Sequence, residues 1–364
     1  MSDTNSLFEP FNIGTITLKN RVGVAPMTRI TATENGFVTE KMLNYYRSFA
    51  EGGFGLIITE GTYIDDKYSQ TYDYQPGIAF DEQAQEWKKI VDAVHSAGST
   101  IFMQLQHSGP LSQGNRFTDG TVAPSAVQPK GEQLKFYLGE GPFRLPREIT
   151  KEEIADVKNS FVEAAKRAKS IGFDGIELHG ANGYLLDAFL TEYTNHRKDE
   201  YGGTPENRVR LLIETIQEVR KAVGENFTIG IRISQSKVVD YTYKWSGKEQ
   251  DAQIIFGTLG NTGLDYIHIT EFEAWKPAFE TGKDSLVALA KEYSQLSIIA
   301  NGHLEKPERA SELINNGHAD IVTLGKGALA NHDWVKRVQK EEPLEEFDPE
   351  KVLRPTAVIK NFEL

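Results

Sequence analysis

The sequence predicts an α/β fold, a (β/α)₈ barrel built as one unit from residues 1–364, and three observations carry that expectation. Short β-branched runs alternate with amphipathic helical patterns from one end of the chain to the other, eight times over. Every run is strand-length and every one is followed by a helix, which demands parallel pairing. The 364 residues exceed the roughly 250 of a minimal barrel, yet eight regular units leave no separate domain to partner an open doubly wound sheet.

The first strand is expected over Arg21–Met27, with a helix over Thr39–Glu51 behind it. The second strand is Gly55–Gly61, and Asp81 opens a helix that ends near Gly98, where glycine suits a left-handed C-terminal cap. Thr100–Gln106 forms the third strand, and its helix runs from Thr150 to Ile171 with Thr150 and Glu153 spaced as a capping box. Gly175–His179 follows, with Thr204-Pro205 opening the next helix at proline's favoured first position. The remaining strands are Thr228–Ser234, Asp265–Thr270, Ser297–Asn301 and Asp320–Leu324. Their helices span Gln250–Leu259, Asp284–Tyr293, Pro307–Asn315 and His332–Lys340.

Two segments exceed an ordinary connection. Ser108–Ile149 (the inserted loop 108–149) is rich in Gly, Pro and polar residues, and Gln235–Lys248 follows the fifth strand. Both should project from the C-terminal face of the barrel, where loops build active sites and lids. Within an N-terminal cap over residues 1–20, PFNIGTITLKN resembles two short strands around a turn, placed to cover the barrel bottom.

Composition narrows the function classes. Hydrophobic residues at 39% and charged residues at 25% suit a globular protein with a sizeable core. A net charge of −12 disfavours nucleic acid and anionic membrane as partners. The absence of cysteine excludes disulfides, a thiol nucleophile and cysteine-ligated iron–sulfur clusters. No secretory signal pattern is visible at the start and no apolar run approaches the ~18 residues of a membrane span, so a cytoplasmic location is expected.

Polar residues gather where the strands end: Thr28, Gly61, Gln104, His107, His179, Asn182, Arg232, Glu271, Gly302 and Lys326. Singly each has a bland reading, Thr28 as a turn hydroxyl or His107 as a satisfied core histidine. Converging on one barrel mouth, they read as chemistry. The strongest group is His179-Gly180-Ala181-Asn182-Gly183-Tyr184, where two hydrogen-bond donors and a phenol can hold a carbonyl oxygen and deliver a proton. In the alternative, Tyr184 packs beneath the turn that His179 and Asn182 merely fix. Asn301-Gly302-His303 and Leu324-Gly325-Lys326-Gly327 end the last two strands, where barrels often hold a phosphate. GKGALA also fits a dinucleotide pattern, but no later strand exists to carry the ribose-binding acid. Arg232 ends an otherwise apolar strand and needs an anionic partner, either a carboxylate such as Glu271 or a ligand that becomes anionic during turnover.

At these residues the chain resembles the Old Yellow Enzyme family of FMN-dependent oxidoreductases. The resemblance runs from LFEPFNIGTITLKNRVGVAPMTR through LIITEGT, PGIAFDEQAQEWKKIVDAVHSAG and IFMQLQHSG. It is densest in GFDGIELHGANGYLLDAFLTEYTNHRKDEYGGTPENRVRLLIETIQEVR and closes with IRIS, IANGH and LGKGALAN. It implies non-covalent FMN reduced by NADH or NADPH and an activated alkene (enone, enal, maleimide or nitroalkene) reduced in turn. Pro26, Met27 and Thr28 would back the flavin ring, Gly61 would contact it, Gln104 would read its pyrimidine edge and Arg232 would sit beside N1 and the C2 oxygen. Gly302, Gly325 and Lys326 would grip the phosphate. His179 and Asn182 would bind the substrate's carbonyl or nitro oxygen, with hydride passing from flavin N5 to the β-carbon and Tyr184 protonating the α-carbon. Tyr68, Tyr72, Phe272 and Trp275 are candidates for the substrate wall. The chain departs from the family at Gln106, where Trp is frequent, at Pro110, where Arg is frequent, and at Lys326, where Arg usually binds the phosphate; a two-pronged grip becomes a point charge.

The other readings are a flavin-binding barrel without turnover, serving as sensor or store, and a metal-dependent barrel hydrolase using His107, His179, His268 and His303. No metal is expected, since no H-x-H pair or bridging carboxylate accompanies those histidines. A monomer or homodimer is expected.

Overall fold

The strand-length runs pair in parallel and the ladder closes on itself. The computed structural model describes residues 4–364, so the first three residues of the expected cap lie outside the described residues. An antiparallel hairpin of β1 (Phe11–Ile13) and β2 (Ile16–Leu18) comes first. The chain continues through β3 (Val22–Val24), α1 (Glu40–Glu51), β4 (Leu56–Ile58), a short β5 (Thr62–Tyr63), α2 (Asp81–Ser96) and β6 (Thr100–Gln106). The insertion holds only β7 (Val122–Ala123) and β8 (Arg147–Glu148) and two 3₁₀ turns. Then come α3 (Lys151–Ser170), β9 (Gly175–Asn182), α4 (Leu185–Leu190), α5 (Pro205–Arg208), α6 (Arg210–Val223) and β10 (Thr228–Lys237). After these run α7 (Glu249–Leu259), β11 (Tyr266–Thr270), α8 (Leu286–Ser294), β12 (Ser297–Asn301), α9 (Pro307–Asn315) and β13 (Ile321–Leu324). The chain finishes with α10 (Lys326–Ala330), α11 (Trp334–Gln339) and α12 (Pro349–Leu353).

Eight strands, β3, β4, β6 and β9 to β13, form the closed parallel barrel, with β13 pairing back to β3 and β4 to β6. The expected cap hairpin is present. Its Ile13 and Leu18 plug the barrel bottom against Leu56, Ile58, Phe102, Tyr266, Ile299 and Ile321. The Thr150 capping box also forms, with the Thr150 hydroxyl accepting from the Glu153 amide at 3.2 Å and the Glu153 carboxylate accepting from the Thr150 amide at 2.9 Å.

Several boundaries differ from expectation for physical reasons. The first strand stops at Val24, because Pro26 has no amide proton to extend the ladder. The second is split, with Thr62–Tyr63 re-pairing to β6 after a break at Thr59–Gly61. β9 runs on to Asn182 and β10 to Lys237, beyond the expected His179 and Ser234. The last expected helix forms as α11, and an additional short helix, α10, precedes it directly after β13.

Strand period 2 stacks the interior in layers. Above the apolar plug lies a polar layer of Gln104, Glu177, His268 and Thr323, all buried. Glu177 accepts from Gln104 Nε2 at 2.9 Å and from Tyr266 at 3.2 Å, and lies 2.8 Å from His268 Nδ1, whose Nε2 is 2.9 Å from the Thr323 hydroxyl. Gly230 sits where any side chain would collide with the Tyr266 ring.

One buried ion pair anchors the C-terminal segment to the barrel. Arg29, just past β3, bonds both carboxylate oxygens of Glu363 at 2.6 and 2.8 Å and donates from Nε to the Ala357 carbonyl at 3.0 Å. Arg29→Ala leaves the Glu363 carboxylate buried and unpaired, so denaturant unfolding should show a loss of about 3–5 kcal/mol. Arg29→Met with Glu363→Gln should recover most of it; a single-variant loss under about 1 kcal/mol would show that the segment detaches locally.

Candidate active site

The next layer up opens at the C-terminal ends of the strands as a cleft of ≈ 330 Å³. Its walls come from separated parts of the chain: Pro26, Met27 and Thr28 after β3, Gly61 after β4, Gln104 and Gln106 from β6, His179 and Asn182 from β9, Arg232 from β10, and Gly325 with Lys326 after β13. Gly302 lines an adjoining cavity of ≈ 190 Å³, whose walls share Gly325 and Lys326 with the cleft. Two glycines are required by space. A side chain at Gly61 would collide with the Gln106 amide, and Gly302, at φ +138°, lies against the Glu271 carbonyl.

Arg232 is enclosed by this layer. Its Nη2 donates to Asn301 Oδ1 at 2.9 Å, while its buried Nε has no partner. The carboxylate expected beside it is not there: Glu271 accepts from the Gln235 amide at 2.8 Å and pairs with Lys244 at 2.8 Å. Compensation comes instead from one layer down, through the field of Glu177. Burial pushes the Arg232 guanidinium down to about 10, against the raising effect of Glu177. Burial raises Glu177 in turn, but His268, Arg232 and the Gln104 bond together hold it below the usual carboxylate value. The mouth therefore presents a cation whose Nε finds no acceptor among the described residues.

The His179–Tyr184 segment is shaped by its backbone. β9 ends with Asn182 at φ +63° and Gly183 at φ +91°, a left-handed turn that aims successive side chains into the cleft. The Asn182 amide donates to the Ser234 hydroxyl at 2.9 Å and its carbonyl accepts from Val238 at 3.0 Å. The Gly183 amide donates to Asp187 at 2.6 Å, and Asp187 takes both bonds of the buried Lys237 ammonium at 2.7 and 2.8 Å. His179 Nδ1 is buried without a partner, and burial, then Arg232 and His268, push the ring well below the usual 6.5. The imidazole is thus neutral, carrying one proton. Tyr184 lines the same cleft, its ring edge-on to His179 with centroids 4.9 Å apart and its hydroxyl 2.6 Å from that of Tyr72. Burial pushes the Tyr184 phenol up to about 12, so it stays protonated.

Some sequence candidates lie elsewhere. Of the four aromatic wall candidates, Tyr72 lines the cleft. Tyr68 lines a separate cavity with His107, 62%-exposed Phe272 packs on His303 beside Gly302, and Trp275 lies under the Arg309 guanidinium. His107 faces Asp65 rather than the mouth, with Nδ1 accepting from the Gly109 amide at 3.1 Å. Pro110 is buried in a 3₁₀ turn. Sequence reasoning missed Leu134, Phe136 and Tyr137 from the insertion, Val238 and Tyr241 from the loop after β10, and Phe347 and Leu353 near the C-terminus, which form the outer wall. Irregular segments carry no periodicity that would reveal which aromatic turns inward. Among the described residues, no group of three or more His, Cys, Asp or Glu side chains is arranged to hold a metal ion.

The family described as NADH:flavin oxidoreductase / NADH oxidase matches residues 6–345. The chain is 34% identical over 350 residues to a protein named NADH oxidase from Thermoanaerobacter brockii, covering 93% of this chain but 52% of that longer protein. It is likewise 34% identical to a protein from Leishmania infantum named probable flavin mononucleotide-dependent alkene reductase, covering 94% of this chain and 93% of the other. Among solved structures, the Old Yellow Enzyme homologue from Zymomonas mobilis superposes with a TM-score of 0.88 at 32% identity, covering 98% of both chains.

The depressed His179 pKa has a direct readout. Its ring should stay neutral from pH 8 down through the ordinary imidazole midpoint near 6.5. NMR of ring-labelled protein should therefore show no His179 titration there. A His179 midpoint at or above 6.5 would contradict the enclosed, cation-facing site.

Proposed function

The chain belongs to the NADH:flavin oxidoreductase / NADH oxidase family, and from that premise we propose that it is an FMN-dependent alkene reductase of the Old Yellow Enzyme type, acting on enones, enals, maleimides or nitroalkenes. One observation carries the proposal: neutral His179, Asn182 and protonated Tyr184 face the same cleft as Arg232, whose Nε lacks a partner.

The residues present fit FMN. The free Arg232 nitrogen supports a role beside the N1–C2 edge, where reduction places negative charge. The Gln104 amide on the same wall supports recognition of the pyrimidine edge, and Pro26, Met27, Thr28 and Gly61 line the cleft where they would back the ring. Gly302, Gly325 and exposed Lys326 around the adjoining cavity would take the phosphate. The chemistry FMN would supply when bound is two-electron transfer, from NADH or NADPH to the alkene's β-carbon as hydride.

The chain's own groups then have separable tasks. His179 and Asn182 bind the carbonyl or nitro oxygen as hydrogen-bond donors. That polarises the alkene and stabilises the enolate-like charge that develops on hydride addition. Neutral imidazole suits this task, because it donates without adding a charge beside Arg232. Tyr184 gives its proton to the α-carbon, and the 2.6 Å contact with Tyr72 offers a buried partner for the phenol afterwards. The outer wall of Tyr137, Val238 and Tyr241 excludes water and limits acceptor size.

We further read residues 1–364 as one FMN-binding unit, with 1–20 as its cap and 108–149 as a lid. No described helix is long and apolar enough to cross a membrane; we propose a cytoplasmic protein, monomeric or homodimeric, whose partners are a nicotinamide and a small alkene. Among the described residues the metal-hydrolase alternative has no ligand cluster to rest on, and a proton donor beside the oxygen-binding pair disfavours a mere flavin store.

In stopped-flow experiments, Tyr184→Phe should slow alkene reduction by about 10²–10⁴-fold while flavin reduction by NAD(P)H stays nearly intact. Equal losses in both halves would remove the proton-donor role. Alkene reduction should also be flat with pH through the neutral range and fall only as the phenol ionises, toward about 12. An apparent pKa near neutrality would place the donor elsewhere. Replacing His179 and Asn182 together with Ala should abolish the charge-transfer band of phenols with the oxidised flavin.

A further inference from the structure

The buried ion pair behind the active-site turn has no part in the chemistry above. Lys237 and Asp187 have side chains 1% and 0% exposed, and they join two elements that sequence separates by fifty residues. Burying two charges needs a geometric return, because apolar residues would fill the same space with less desolvation.

That return is visible in the ladder. β9 and β10 pair in register as far as Gly180↔Ile233, then lose register, and pairing resumes at Asn182↔Lys237. Two extra residues of β10 therefore bulge out just where β9 enters its left-handed turn. Lys237 closes this gap. Its side chain passes beneath the turn to Asp187 on α4, and the same carboxylate accepts the Gly183 amide at 2.6 Å and the Thr191 hydroxyl at 3.2 Å. The next residue, Val238, donates to the Asn182 carbonyl at 3.0 Å. Val238 and Tyr241 then enter the cleft wall beside Asn182 and Tyr184. One ion pair thus holds both the turn that presents Asn182 and the root of the loop that roofs the cleft.

We propose that Lys237 and Asp187 are positioning residues for the acceptor: the pair fastens the loop carrying Val238 and Tyr241 to the Asn182–Gly183 turn and so sets how tightly an oxygen-bearing substrate is held. This rests on the oxygen-binding reading of His179 and Asn182. The residues proposed to hold FMN lie on other strands or, for Arg232, before the register break, so cofactor binding is independent of the pair.

The test compares the FMN-loaded wild type with the double variant Asp187→Leu/Lys237→Met, which removes both charges together and leaves none stranded. FMN content should equal that of the wild type. Affinity for a para-substituted phenol, read from its charge-transfer band, should weaken about tenfold or more, and alkene KM should rise by a larger factor than kcat falls. Independently of the flavin, hydrogen exchange at the Gly183 amide should accelerate by about tenfold or more, since its acceptor is gone. Lys237→Arg, which can still reach the carboxylate, should retain phenol affinity to within a few-fold.

Phenol affinity within about twofold of the wild type in the folded double variant overturns the proposal. So does a double variant that fails to fold, because the pair would then support the barrel as a whole. A wild-type protein that gives no phenol band overturns the oxygen-binding reading and this inference with it. Faster Gly183 exchange with unchanged phenol affinity overturns the inference alone.

Discussion

Arg232 is a full positive charge enclosed in a barrel, and the mouth is arranged around the cost of keeping it there. Little water reaches it, and the neighbouring carboxylate just past the next strand, Glu271, is already engaged by Gln235 and Lys244. The barrel answers with a buried carboxylate one layer down. Glu177 is held by Gln104, Tyr266 and His268, so it stays ionised despite complete burial. That network explains why a polar layer interrupts an otherwise apolar barrel interior. His179 is neutral first because it is buried, and then because a second cation there would face Arg232 and His268 without an anion of its own.

The fold was legible because closure and periodicity agree. Once eight parallel strands close, alternate residues have no place except the interior, so Gln104, His179 and Arg232 could be assigned to one mouth from strand-end position alone. The same logic misjudged His107. It lies one residue past Gln106, and a step of one residue on a strand reverses the face. Residues beyond the strands escaped for a different reason. Phe272 and Trp275 follow β11 in an irregular segment, where no period tells inward from outward, and the structure directs them to His303 and Arg309. Tyr72, in an equally irregular stretch, faces inward because its hydroxyl meets Tyr184. Nothing local distinguishes these cases. The Arg29–Glu363 pair was invisible for the simplest reason: 334 residues separate its partners.

The division between barrel and loops bears on specificity. Groups that would meet the flavin sit on strands or immediately after them, where ladder hydrogen bonds fix them. Groups that would meet the outer part of a substrate come from the 108–149 insertion, the loop after β10 and the C-terminal segment. Those three segments are tied to one another and to the barrel at discrete points. Lys130 pairs with Asp240, the Ala357 amide donates to the Phe136 carbonyl at 2.8 Å, and Glu363 holds Arg29. A wall held at points rather than along a ladder can change composition without disturbing the cofactor platform.

Of the departures noted in the sequence, Lys326 keeps to that division and Gln106 crosses it. Gln106 lies on the strand and faces Tyr184. Its amide donates to Thr71 at 2.8 Å, and its hydrogen bonding to the Tyr184 phenol opposes the upward push of burial. An amide there, in place of a large indole, makes the surroundings of Tyr184 more polar and packs directly over Gly61. Lys326, by contrast, is exposed at the cavity rim, where a point charge can follow a phosphate without the fixed geometry of a guanidinium. In the proposed reading the first change would bear on what is reduced and the second on how the cofactor is retained, so the two departures could vary separately. The wall segments are consequently where differences in acceptor among related barrels should arise, with the layer beneath Arg232 left the same.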